Sequence, residues 1–130
     1  MPRLALLTAV AAWSIVPPYL GEAVGLTLDV PASTETIDHT IPGMTAVIAS
    51  ICALVLARRG EPDSVGVFAL LAVGALAGLF QTVSHVSLVL DAGGPLQPVG
   101  AVALHASPGP VLLGLSLWLL LRPPPSEPPG

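Results

Sequence analysis

Four apolar runs of about twenty residues, separated by short polar or turn-rich segments, constrain this chain more than any other feature. A helix needs about that length to cross the roughly 30 Å hydrocarbon core of a bilayer. The runs cover residues 4–28, 41–57, 65–90 and 99–121. Each is expected to be helical, because lipid offers no partner to an unpaired backbone N–H or C=O. Composition points the same way. Only 9% of residues are charged and the mean hydropathy is +0.85, whereas a soluble domain carries about 25% charged residues. The expected fold class is therefore an all-α integral membrane protein, a four-helix transmembrane bundle forming one domain over residues 1–121. The proline-rich stretch 122–130 is expected to be a disordered tail.

The polar segments 29–40, 58–64 and 91–98 are expected to connect the spans. Charge then orients them. Arg3 precedes the first run, Arg58 and Arg59 follow the second, and Arg122 follows the fourth. All four arginines fall on one side, which the positive-inside rule assigns to the cytoplasm. Both termini are expected there, and Asp29, Glu35, Asp38 and Asp91 on the other side. The absence of lysine and asparagine resembles the usage of a GC-rich bacterium, and the expected location is a bacterial inner (plasma) membrane. A cleaved signal peptide is the rival reading of the first run, with Arg3 as its charged start and Ala23 at its end. Apolar sequence continues through Leu26 and Leu28, which favours a retained span.

Several classes are excluded. The net charge of −4 is small and split by location, which argues against a nucleic-acid partner. No phosphate loop, dinucleotide fingerprint or nucleophile elbow occurs. The single cysteine, Cys52, sits in an apolar run and reads as a packing residue.

Small residues and prolines predict how the spans meet. Gly74 and Gly78 form a GxxxG pair, and Thr82 and His85 continue its face. His105, Gly109 and Ser116 share a face of the fourth run. Pro108 and Pro110 predict a kink there that frees the carbonyls of Leu104 and Ala106, and Pro17-Pro18 predicts a break in the first run. Trp118 suits an interfacial belt.

The candidate site lies toward the side away from the arginines. Glu22, His85 and His105 are expected about 8–11 Å below the outer boundary, with Gln81, Thr82 and Ser84 able to supply supporting hydrogen bonds. Asp38 and His39 sit above them, and His39 reads as an ordinary loop residue. Ionisable groups within a span face a bundle interior or a wet cavity. Three chemistries fit: a metal ion (zinc, copper or iron) on the histidines and Glu22; a b-type haem between His85 and His105; or a proton or quinone site. The bland alternative is helix pairing through histidine hydrogen bonds, at about 0.6 kcal/mol each.

Three functions follow as expectations. The first is a small membrane protein with an outward-facing His/Glu site for a metal or haem, in a redox system. The second is an accessory or assembly subunit that docks on a larger membrane complex, or on a second copy, through its glycine face. The third is a membrane enzyme acting on a lipid-soluble substrate.

Overall fold

The computed structural model describes residues 2–90 and 97–122, and every regular element among them is helical. Helix α1 (Pro2–Trp13) and α2 (Pro17–Val24) form one bent unit with a 52° angle between them. The cause is Pro17-Pro18. Neither proline has an N–H, so the carbonyls of Trp13 and Ser14 lose their usual donors four residues on. Val16 N–H turns back to the Trp13 carbonyl at 3.0 Å. Ser14 finds another solution, described below.

The next helix begins earlier than its apolar run. α3 (Ala32–Glu35), a π-helical turn (Thr36–Thr40) and α4 (Ile41–Arg58) join into one helix of 27 residues. Most of segment 29–40, expected as a loop, is therefore helical. The polar stretch starts a helix because Pro31 stands at the N-cap, where its fixed φ and missing N–H do no harm. Its carbonyl accepts from Thr34 N–H at 2.8 Å and from Glu35 N–H at 3.3 Å. Through the π turn the ladder lengthens by one residue, and Ile41 N–H reaches the Thr36 carbonyl.

Helix α5 (Val65–Leu90) follows, then α6 (Val99–Ala106) and α7 (Pro108–Leu121). α6 and α7 meet at Ser107, where Pro108 and Pro110 interrupt the hydrogen-bond ladder. Ser107 Oγ donates to the Leu104 carbonyl at 3.4 Å, a carbonyl that Pro108 deprives of its backbone partner. Ala32–Arg58, Val65–Ser87 and Val99–Leu121 are long and apolar enough to cross a membrane, and the bent α1–α2 pair makes a fourth if counted as one span. Residues 91–96 and 123–130, including Asp91 and nearly all of the expected tail, lie outside the described residues.

α5 packs against both α4 and α7, and α1 packs against the same two helices. The tightest crossing joins α5 to α7. A Cβ on Gly78 would stand 2.5 Å from the Leu113 backbone nitrogen and 3.0 Å from the Gly109 carbonyl oxygen. Only glycine lets the two backbones approach so closely. Gly74 faces Ser116 one turn further along. The Gly74/Gly78 face is thus covered by α7 of the same chain.

The buried interior is rich in small residues, among them Ala11, Ala46, Ala49, Ala53, Ala57 and Ala77, with Leu7, Leu71, Leu112 and Leu119 filling the space between. Large apolar side chains such as Ile48, Ile51, Leu76, Phe80 and Val83 point outward. A water-facing domain reverses that order. Cys52, read from sequence as a packing residue, is exposed on α4.

Candidate functional site

The largest polar feature of the interior is a cluster of three imidazoles. His39, His85 and His105 are 1%, 4% and 1% exposed. His39 comes from the π turn, His85 from α5 and His105 from α6. The His39 ring packs edge-on against both others, with centroid distances of 4.7 Å to His85 and 5.4 Å to His105. His39 is therefore no loop residue. The helix that begins at Ala32 carries it inward and makes it the member that touches the other two.

The hydrogen bonds fix the tautomers. A carbonyl oxygen can only accept, so a ring nitrogen bonded to one must carry the proton. His39 Nδ1 donates to the Ser14 carbonyl at 3.0 Å. His85 Nδ1 donates to the Gln81 carbonyl at 2.7 Å, and His105 Nδ1 to the Ala101 carbonyl at 2.8 Å. In a neutral imidazole the other nitrogen, Nε2, then carries a lone pair. All three Nε2 atoms are in this position.

Two of these lone pairs face each other. His39 Nε2 and His85 Nε2 stand 3.0 Å apart in a buried setting. Neutral rings held in this way would repel; a proton shared between the two nitrogens satisfies a contact of this length, whereas a metal ion bonded to both at about 2.0–2.1 Å would have to lie off the line that joins them. The third, His105 Nε2, is fully buried and has no hydrogen-bond partner. Its closest charged neighbour is Glu35 Oε1 at 3.6 Å, beyond good hydrogen-bond range. Buried groups left unpaired cost about 1–3 kcal/mol, so this nitrogen is a costly feature of the interior. Among the described residues, no three His, Cys, Asp or Glu side chains yet surround one point closely enough to hold a metal. The donors stand as a close pair with a third imidazole at its edge.

One anchor of the cluster comes from a helix break; the Gln81 and Ala101 carbonyls that hold the other two rings belong to regular helix, four residues before each histidine. Pro18 leaves the Ser14 carbonyl without its N–H partner, and that oxygen accepts both His39 Nδ1 and Gln81 Nε2, the latter at 3.3 Å. The proline break in the first run thus orients a histidine two helices away. α2 also covers the cluster. A Cβ at Gly21 would stand 2.9 Å from His105 Cε1, so the α2 backbone lies directly on that ring.

Other expected members fall elsewhere. Glu22 is exposed on α2, and the carboxylate beside His105 is Glu35. Asp38 is buried in the π turn next to His39. Thr82 Oγ bonds the Gly78 carbonyl at 2.7 Å and packs at Gly109, and Ser84 Oγ bonds the Gln81 carbonyl. Three contributors were not singled out from the sequence: Glu35, Gly21 and the Ser14 carbonyl. Pro18 signals the freed carbonyl four residues before it, and Pro31 followed by Glu35 is a helix-start pattern. Nothing in the sequence marks Gly21. A bis-histidine haem between His85 and His105 would need open space where the His39 ring packs.

Compared with protein families, with curated proteins and with solved structures, the chain finds no match in any of the three.

Proposed function

We propose that this chain is a small integral membrane protein, a four-helix bundle with both termini in the cytoplasm, whose buried histidine cluster binds a transition-metal ion near the outer surface. One observation carries the reading: every Nδ1–H of the cluster is tied to a backbone carbonyl, which leaves three Nε2 lone pairs in one buried region. Metal-binding histidines have this arrangement, in which the second ring nitrogen is held by a carbonyl or carboxylate and the tautomer is thereby set. Imidazole donors suit zinc, copper, iron or nickel.

The membrane setting rests on the apolar exterior and the span lengths, and the orientation on the arginines. On this reading the bundle is a binding site rather than a conduit, because Leu7, Leu71, Leu112 and Leu119 fill the core between the histidines and the arginine end. An ion would arrive and leave on the histidine side. Docking on a larger complex through Gly74 and Gly78 loses its surface, since α7 covers that face.

The test is metal analysis of detergent-purified protein, followed by titration of the chelator-treated protein with Zn²⁺ and Co²⁺. One ion per chain is expected, with binding lost in His39→Ala and His85→Ala. A protein that takes up neither ion, with a folded helical spectrum, sinks the reading and leaves a proton as the particle between His39 and His85.

A further inference from the structure

We infer that α2 and the strap that follows it, as far as Asp29, form a hinged lid over the histidine cluster, and that water and its solutes reach His105 Nε2 when this lid lifts. The closed position is seen at Gly21. A Cβ there would stand 2.9 Å from His105 Cε1 and 3.4 Å from Nε2. The α2 backbone therefore roofs a ring nitrogen that has no hydrogen-bond partner among the described residues. α2 packs on α6, the helix that carries His105. Leu26 lies over Gly100, where a Cβ would meet its Cδ2 at 3.2 Å, and Leu28 is buried. The strap ends in a clasp: Asp29 N–H donates to Gln97 Oε1 at 2.9 Å, and Gln97 Nε2 donates to the Asp29 carbonyl at 3.5 Å.

Both ends of α2 are built to turn. At its start Pro17-Pro18 interrupts the hydrogen-bond ladder. The near side of that break is fixed, because His39 and Gln81 hold the Ser14 carbonyl. At its end Gly25 takes a φ of +72°, and a Cβ there would meet nothing within 4 Å. That turn is free of packing restraint and suits the backbone freedom of glycine. Segments that close over a site hinge at element ends of this kind. The opposing forces are also in place. Apolar contact through Leu26 and Leu28 favours closure, while sealing His105 Nε2 from every donor opposes it. Lifting α2 lets water donate to that nitrogen. The clasp is exposed, so water competes for its bonds and it holds the strap lightly.

The test is the rate at which diethyl pyrocarbonate, which attacks an unprotonated imidazole nitrogen, modifies His105 in the full chain in detergent, read by mass spectrometry. No metal enters it, so the lid and the metal reading can fail separately. In a Cys52→Ala background, Leu26→Cys/Gly100→Cys places two thiols where the strap meets α6. Oxidised, this pair should slow the modification at least about tenfold by abolishing local opening, and a reductant should restore the rate. Gln97→Ala removes the clasp and should speed modification roughly fivefold, the effect of losing about one hydrogen bond. Equal rates in the oxidised and reduced forms overturn the lid and show entry past Glu35, whose side chain is 23% exposed and 3.6 Å from His105 Nε2. A thiol pair that does not oxidise overturns the closed position at Gly100. Wild type modified as fast as free imidazole shows that α2 is no barrier. An unchanged rate in Gln97→Ala, with the helical spectrum kept, removes the clasp from the lid.

Discussion

At one end of the helix assembly the buried volume is filled by three imidazoles, an amide and a serine carbonyl; at the other it is filled by Leu4, Ala57, Val67 and Leu119. Both ends use the same helices. They differ in how the backbone is treated. The arginine end has regular ladders, and its charged residues stay at the rim, where Arg3 lies over the Trp118 ring at 4.7 Å. The histidine end has every irregularity among the described spans: the Pro17-Pro18 break, the π turn and the Ser107 break. The first frees the carbonyl that holds His39 and the second carries His39 itself, whereas the carbonyl freed by Pro108 is taken by Ser107 Oγ and His105 is held within α6. Polar groups are costly within a span, and here they gather where the backbone itself has carbonyls to offer. Unpartnered polar atoms nonetheless occur at both ends among the described residues: the Ser50 and Ser116 hydroxyls in regular helix, and Gln81 Oε1 and His105 Nε2 in the cluster.

The comparison can be broken by substitution, and the largest effect is expected where the two ends join. Gly78→Ile would drive a side chain into the α7 backbone 2.5 Å away. It should destabilise the fold by about 3 kcal/mol or more, above the usual range for overpacking because backbone cannot yield. Thermal unfolding in detergent reads this, and a normal melting temperature would show that the crossing is looser than described. His39→Ala comes next. It removes the ring that touches both other histidines, so metal affinity should fall at least about 100-fold while the helical spectrum is kept. Survival of binding would mean that His85 and His105 form a site without it.

Gly21→Ala sharpens the comparison at smaller scale. The added methyl would stand 2.6 Å from the Leu26 carbonyl oxygen and 2.9 Å from His105 Cε1, so both the end of α2 and the ring must shift, and metal affinity should drop roughly tenfold. An unchanged affinity would mean that α2 gives way instead of the ring. Smallest is Arg3→Ala, which removes an exposed cation–π contact worth about 0.5–1 kcal/mol. It should lower the unfolding temperature slightly and leave metal binding untouched. A change in binding would show that the apolar core transmits strain between the ends.

How much of this the sequence discloses depends on the scale of the feature. The helices at 65–90 and 99–121 are legible from hydropathy alone, since burial in lipid and burial in protein demand the same apolar run. The helix start at Ala32 is not, because a hydropathy window stops at polar residues while a backbone does not. Pro31 carries that information locally. This is why His39 reads as loop and Glu35 as no more than an acidic residue on the outer side. The meeting of His85 with His39, and of His105 with Glu35, depends on which helices become neighbours. No spacing within one run encodes that. Glu22 stands outside the cluster for a related reason: depth along a helix is legible in the sequence, but the direction of its face after a 52° bend is not.

The π turn has a consequence for tolerance to insertion and deletion. One residue of an α-helix advances the face by about 100°. A chain lacking any single residue of Thr36–Thr40 would keep its hydropathy, its span and its arginines. Its 41–58 segment would still suit the same groove against α5. Yet Glu35 would stand one residue closer to that segment, and deletion of Thr40 would bring His39 closer as well, whereas deletion of Thr36, Ile37 or Asp38 leaves the spacing from His39 to Ile41 unchanged. The placement of Glu35 beside His105 therefore depends on the residue count across all five positions, while that of His39 depends only on the single residue between it and Ile41, so a shorter turn would part the carboxylate from the cluster before it parted the imidazoles.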